Sequence, residues 1–438
     1  MSERRPTPLR PSWRYWLTPG MGVKRHVALA VAGGALFALG AAAAMVWLLG
    51  EGRQIASEPI EAILASPAWA LFGGWLALAA ALAGVWLAAW SVGRLNRSLL
   101  SNWLPVPSEA GSRLYERLRR ARGPRIVALG GGTGLSRLLR GLRSATSNLT
   151  AVVAVSDDGG SSGRLRAAFG MPAPGDLVDC LAALSDDEAA LGRLLAYRFA
   201  RGAELQGHTF GNLFLTTLTE VEEDFGEALR TANRMLDLWG AVYPATARPV
   251  ELWVRKRDGR EIVGERHAHE GGGAIAEVRL NPSEPEALPE VLAARAGAQL
   301  FVLGPGSLYT STLPPLLVPG VRAAMLSSPA QLVYVCNIMT EDGETTGLDA
   351  WDHVSAIYDH VGRYPDLVVV NDQPLDERRL AAYAEEHATL VHVDGSRFAA
   401  AGIRLERLAL LDEGLHAQHD PERLAASLLA LADARSRR

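Results

Sequence analysis

Hydrophobic and polar positions divide the chain into two regimes. Val27 to Gly50 and Ala68 to Val92 are apolar and carry no charge. At ~1.5 Å per residue, each is long enough to cross a hydrocarbon core of about 30 Å. From Pro124 onward, short β-rich runs alternate with helical ones, the pattern of a mostly parallel sheet covered by helices. Arg125–Leu129, Ala151–Val155, Leu300–Leu303, Leu332–Val335, Leu367–Val370 and Leu390–Val393 predict strands. They are predominantly apolar, as strands buried on both faces must be. Leu135–Leu142, Leu177–Leu184, Glu188–Phe199, Gly211–Thr219, Phe225–Leu238, Leu288–Arg295, Trp351–Val361 and Pro421–Ala434 predict helices. One segment breaks the alternation. Val250–Val254 and Glu261–Val263 flank Asp258-Gly259, a hairpin turn signal, and Ile275–Leu280 adds a third strand to this antiparallel excursion.

The predicted organisation is a basic amino-terminal segment (1–26), a two-helix membrane hairpin (27–92), a juxtamembrane linker (93–123) and one α/β domain (124–438). The fold class is a Rossmann-like three-layer αβα domain preceded by two transmembrane helices. Arg4, Arg5, Arg10, Arg14, Lys24 and Arg25 precede the first span, and Arg94 and Arg97 follow the second. The connecting loop holds Glu51, Glu58 and Glu61 against Arg53. Basic flanks stay in the cytoplasm, so both termini and the main domain are expected there, in a two-pass protein of the cytoplasmic membrane. Tryptophans including Trp13, Trp16, Trp47, Trp86 and Trp90 suit interfacial belts, and Gly73 and Gly74 suit close helix approach. The spans hold no ionisable residue, so the hairpin reads as an anchor in membrane lipid rather than a transport path.

Composition adds two exclusions. A net charge of −4 argues against a nucleic-acid binder. Cys180 and Cys336 stand in separate apolar runs without CxxC spacing, as buried free thiols would.

The candidate chemistry gathers where strands end. Arg125–Leu129 runs into Gly130-Gly131-Gly132-Thr133-Gly134 and then a helix. Glycines let backbone N–H groups approach an anion, and the helix terminus adds partial positive charge. No Gly-Lys-Ser/Thr follows, so this is not a P-loop. The next strand ends in Ser156-Asp157-Asp158-Gly159-Gly160-Ser161-Ser162. Asp157 or Asp158 suits sugar hydroxyls or a divalent ion such as magnesium, and Ser161 and Ser162 suit a phosphate or a helix cap. Asp176 opens one apolar helix, and His208 and Asn212 stand at the start of another. Leu300–Leu303 ends in a second glycine loop, Gly304-Pro305-Gly306-Ser307-Leu308-Tyr309, where Tyr309 is a candidate stacking ring for a planar base. Asn337 and Thr340 follow the strand Leu332–Val335. Polar loops on the carboxyl ends of several strands are expected to converge on one crevice.

These motifs resemble the CofD-like family. Leu129-Gly130-Gly131-Gly132-Thr133-Gly134-Leu135, Ser156-Asp157-Asp158-Gly159-Gly160-Ser161-Ser162-Gly163-Arg164, Gly207-His208-Thr209-Phe210-Gly211-Asn212, Gly304-Pro305-Gly306-Ser307-Leu308-Tyr309 and Val335-Cys336-Asn337-Ile338-Met339-Thr340 look like its signatures, in family order. The closer branch is that of the bacterial gluconeogenesis factors (YvcK). The resemblance implies a regulatory protein that binds a UDP-sugar, such as UDP-N-acetylglucosamine or UDP-glucose, without a required cofactor. It implies a role in cell shape and cell-wall homeostasis during gluconeogenic growth, with cell-wall synthesis proteins as partners. Self-association is open to such a domain. The alternative is a phospholactate-transferase-like enzyme moving a phospho-group from an activated nucleotide. No general base stands at suitable spacing for that, His208 excepted, so no catalytic residue is assigned. The chain departs from the family at Val178-Asp179, where Arg-Asn is usual.

Overall fold

The computed structural model describes residues 23–49, 67–100, 110–186, 188–414 and 416–436. The chain divides into an amino-terminal unit, residues 1–115, and a carboxy-terminal unit, residues 116–438.

The first unit holds two helices, Val23–Leu49 and Pro67–Leu100, each long and apolar enough to cross a membrane. Leu39, Leu48 and Trp75 lie 69%, 74% and 72% exposed, a surface suited to lipid rather than to a soluble core. The helices meet at glycine, at Gly74 as the sequence suggested and more closely at Gly33, Gly40 and Gly84. A Cβ at Gly33 would come within 2.7 Å of the Ala88 nitrogen, and one at Gly40 within 2.8 Å of the Ala77 carbonyl oxygen. Gly84 abuts the Phe37 backbone in the same way, while Gly74 faces the Trp47 ring instead. Backbone contact of this kind needs residues without side chains. Replacing Gly84 with leucine is therefore expected to separate the helices. The check is disulfide cross-linking of cysteines placed at His26 and Ser91, where the Ser91 hydroxyl donates to the His26 carbonyl. Cross-linking should be efficient in the parent and lost in the leucine variant. The basic segment before residue 23, with Trp13 and Trp16, and the loop carrying Glu51, Arg53, Glu58 and Glu61 lie outside the described residues.

The second unit is a doubly wound α/β domain. Its strands are β1 (Ile126–Gly130), β2 (Leu149–Val153), β3 (Ala241–Pro244), β4 (Glu251–Lys256), β5 (Glu261–Val263), β6 (Ile275–Asn281), β7 (Leu300–Leu303), β8 (Gln331–Val335), β9 (Leu367–Asn371) and β10 (Arg404–Leu408). Seven form a parallel sheet in the order β10-β9-β8-β7-β1-β2-β3, and β5-β4-β6 form the expected antiparallel excursion. β1 is central: Ile126 pairs in register with Leu149 on one side and Leu300 on the other. β1, β7 and most of β8 and β9 are buried at every residue, which is why they read as unbroken apolar runs. Cys180 and Cys336 are free and buried in this core.

Three expectations need correction. Leu390–Val393 is not a sheet strand; only an isolated bridge links Leu390 to Met339. The edge position belongs to β10, whose Arg-Leu-Glu-Arg-Leu sequence is exposed or half-buried throughout and hides from an apolar-run criterion. β3, the opposite edge, ends in Pro244, alternates half-buried with buried positions and gives no apolar run either. β2 begins and ends two residues before the predicted Ala151–Val155.

Candidate functional site

β1 leads to β2 on one side and β7 leads to β8 on the other, so the strand order reverses between β1 and β7. Loops leaving the two strands part there and leave a crevice. Gly130 and Gly132 have φ of 151° and 60°, a region that a side chain makes costly. The helix Gly132–Leu142 starts inside the glycine run. A Cβ on Gly134 would strike the Pro305 carbonyl oxygen, so the loops after β1 and β7 lie backbone to backbone. Gly306, with φ of 145°, donates its N–H to Asn337 Oδ1 at 3.2 Å. Gly130, Gly131, Gly132, Thr133 and Gly134 thus share one rim with Gly304, Gly306, Ser307 and Asn337.

A cleft of about 400 Å³ opens beside this rim, lined by Thr133, Arg137, Pro305, Asn337, Thr340, Glu341, Tyr383 and His419, among others. Its polar groups are held in place. Asn337 Nδ2 donates to Glu341 Oε1 at 3.3 Å, and Ser307 Oγ to Glu341 Oε2 at 2.5 Å. Thr340 is buried and hydrogen-bonded to Thr389. Arg137 pairs with Asp412 and donates to the His419 carbonyl at 3.1 Å. The His419 ring is buried, its Nε2 has no hydrogen-bond partner among the described residues, and burial pushes its pKa down to about 4. Behind the rim, the fully buried Glu344 accepts from the Tyr309 N–H at 2.7 Å. Burial, and then Glu341, raise its pKa well above the carboxylate range.

On the β2 side the crevice is acidic. Asp176 lies in the first turn of the helix Gly175–Leu184, where Pro174 takes the cap position. Its carboxylate reaches out of its own helix to accept from the Gly132 N–H. A Cβ on Gly131 would collide with that carboxylate. Burial, then the charge of Asp157, raise the Asp176 pKa to about 7. Asp157 accepts from the Gly159 N–H at 2.8 Å, and burial raises its pKa too. Glu265, from the loop after β5, accepts from Ser156 Oγ at 2.9 Å. Its pKa is pushed well up, by burial first and by Asp157 and Asp176 after it. Asp158 accepts from the Arg266 N–H at 2.8 Å. Among the described residues no group of three or more His, Cys, Asp or Glu is placed to hold a metal ion. Asp157 and Asp158 are drawn to different backbone partners, the Gly159 and Arg266 N–H groups.

The helix Gly160–Phe169 rises from Gly159, and neither Ser161 nor Ser162 caps it. Thr209, not His208 or Asn212, caps the helix Phe210–Glu222. The two side chains are thereby left for Ser161, which lies 2.9 Å from His208 Nδ1 and 3.0 Å from Asn212 Nδ2. Asn212 also reaches Ser162 at 3.4 Å.

Tyr309 is the residue the structure reassigns. Its ring is 2% exposed and packs edge-on against His360, at 6.0 Å between centroids. No ring face is offered to a base, and burial raises its pKa. The Gly132 N–H faces the Asp176 carboxylate, which an anion bound there would have to displace. The departure at Val178-Asp179 also gains an account: Val178 is buried under Gly211, and Asp179 feels the charge of Arg140. Sequence reasoning missed Arg137, Glu265, Glu341, Tyr383 and His419. Arg137 and Glu341 each stand within two residues of a recognised motif, the runs ending at Leu135 and Thr340.

Residues 126–411 match the family model described as 2-phospho-L-lactate transferase CofD. A Deinococcus radiodurans protein named as a gluconeogenesis factor is 45% identical over 97% of this chain and 91% of its own length. The gluconeogenesis factor of Bacillus subtilis is 40% identical over 70% of this chain and 98% of its own. A crystal structure from Bacillus halodurans superposes with a TM-score of 0.68 at 40% identity, covering 70% of this chain and 100% of that one.

Proposed function

The chain belongs to the CofD-like family, in its gluconeogenesis-factor (YvcK) branch, and we propose that it is a membrane-anchored regulator that binds a UDP-sugar. The observation that carries this reading is the interlock of the two glycine loops at the sheet's reversal, beside a cleft of about 400 Å³. That volume falls within the range of about 300–1,000 Å³ usual for small-molecule sites. Polar groups held by Glu341 suit a sugar or base edge, and the amides of the glycine loop suit a diphosphate. Two apolar helices would hold the domain at the membrane, with both termini in the cytoplasm. There it would tie cell-wall precursor supply to cell shape during gluconeogenic growth. A transferase reading has the family model in its favour.

Titrating the detergent-solubilised full chain with UDP-N-acetylglucosamine, with and without magnesium, is the test. Saturable binding that returns the ligand intact, equally in both conditions, is expected. Magnesium-dependent turnover would replace regulation with transfer, and absence of binding would remove the ligand assignment.

A further inference from the structure

Ser161 is 6% exposed and lies in the first turn of the helix Gly160–Phe169. The groups around its hydroxyl decide which way it can hydrogen-bond. A guanidinium can only donate, and Arg164 Nε reaches His208 Nε2 at 3.3 Å. That ring nitrogen must present a lone pair. Burial, and then the charge of Arg164, hold the His208 pKa below its ordinary value, so the ring is neutral. Its one proton therefore sits on Nδ1, which donates to Ser161 Oγ across 2.9 Å. Asn212 Nδ2 donates to the same oxygen from 3.0 Å. A hydroxyl oxygen accepts two hydrogen bonds and donates one. Both acceptor positions of Ser161 are filled, and only its proton is left to give. Among the described residues, none accepts it.

A group that can only donate is matched by one that can only accept. The first-turn N–H groups of the same helix also want an acceptor, because Gly159 supplies no side-chain cap. Resting on the sugar-nucleotide reading of this crevice, we propose that Arg164 and His208 are positioning residues that lock Ser161 as a donor to a phosphoryl oxygen of the ligand. Asn212 completes the lock by filling the second lone pair. The arrangement would reject a ligand that brings a donor to this point, because Ser161 has no lone pair with which to receive it. Arg164 acts at one remove: it touches the ring, the ring sets the serine, and the serine meets the ligand.

The experiment combines histidine-selective ¹⁵N NMR of the full chain in detergent with calorimetric titration of UDP-N-acetylglucosamine. The His208 signal in the parent should be that of a neutral ring protonated at Nδ1. In Arg164→Met that preference should be lost, with the ring sampling both tautomers or protonating at a higher pH. Affinity should fall about tenfold in Ser161→Ala, in line with one lost hydrogen bond to a charged group. It should return to within about twofold of the parent in Ser161→Thr, which keeps the hydroxyl. Arg164→Met should weaken binding less than Ser161→Ala does. A parent ring protonated at Nε2, or Ser161→Ala binding as tightly as the parent, would overturn the proposal. If the parent binds no UDP-N-acetylglucosamine, the sugar-nucleotide reading fails. The His208 tautomers in the parent and in Arg164→Met then still uphold or overturn the lock.

Discussion

Replacing Gly134 with alanine is expected to cost about 2 kcal/mol of stability, a drop of roughly 3 °C in Tm, and to weaken UDP-sugar binding by at least about tenfold. Helix propensity alone predicts the opposite. Gly134 lies in the helix Gly132–Leu142 with no positive φ, and alanine is favoured over glycine in a helix by about 1 kcal/mol. The steric cost decides the sign. The new Cβ would overlap the Pro305 carbonyl oxygen and stand 2.6 Å from its carbon and 3.0 Å from the Gly306 nitrogen. These are backbone atoms of the loop after β7, which cannot rotate away as a side chain would. Either that loop or the helix start must move, and the shared rim moves with it. Gly192 provides the internal comparison. It lies in the helix Glu188–Leu195, and its added Cβ would meet only Glu188 Cγ at 3.7 Å, an ordinary contact. Gly192→Ala should therefore raise Tm while Gly134→Ala lowers it, measured by thermal unfolding of the two variants side by side. Two increases would mean that the loops are not in backbone contact.

The same contrast explains what could be read from the sequence. β1, β7, β8 and β9 lie in the sheet interior, so both of their faces are apolar and the runs stand out. β3 and β10 close the sheet at its edges, where half-exposed positions mix polar and apolar residues and remove the signal. The run at Leu390–Val393 is apolar because Val391 is buried beneath the loops that follow β8, not because it pairs in the sheet. Gly130 to Gly134 were legible because the residue type itself records a backbone constraint. Tyr309 was not, because a sequence shows that a ring is present and not which way it packs. Glu265 and His419 reach the crevice from loops separated from Gly131 by more than a hundred residues, and only the fold brings them together.

Asp176→Asn is expected to stabilise the protein at pH 8 and to flatten the pH dependence of UDP-sugar binding. The carboxyl's pKa is about 7 in the folded chain against an ordinary 3.8. Above pH 7 the group is ionised in both the folded and the unfolded chain, and the folded chain bears the full cost of a buried charge beside Asp157. Between pH 7 and 3.8 the folded chain takes up the proton first, so the cost fades as pH falls. At about 1.4 kcal/mol per unit, its upper limit is ~4 kcal/mol. Asparagine keeps an oxygen for the Gly132 N–H and brings no charge. The stability difference between variant and parent should thus be near zero at pH 4, grow up to pH 7, and stay level above it. The same carboxylate lies against Gly131 and Gly132, where a diphosphate is proposed to bind. An ionised Asp176 and a phosphate cannot share those amides without repulsion, so the parent should bind UDP-N-acetylglucosamine up to about tenfold more weakly for each pH unit above 7. The asparagine variant should hold its affinity across that range. Calorimetric titrations of both proteins at pH 6.5, 7.5 and 8.5, with Tm recorded separately at pH 4, 5.5, 7 and 8.5, separate the two effects. Equal and flat affinities in parent and variant would remove Asp176 from the ligand site, while a pH-independent Tm difference would show that its carboxyl is not the buried charge assigned to it.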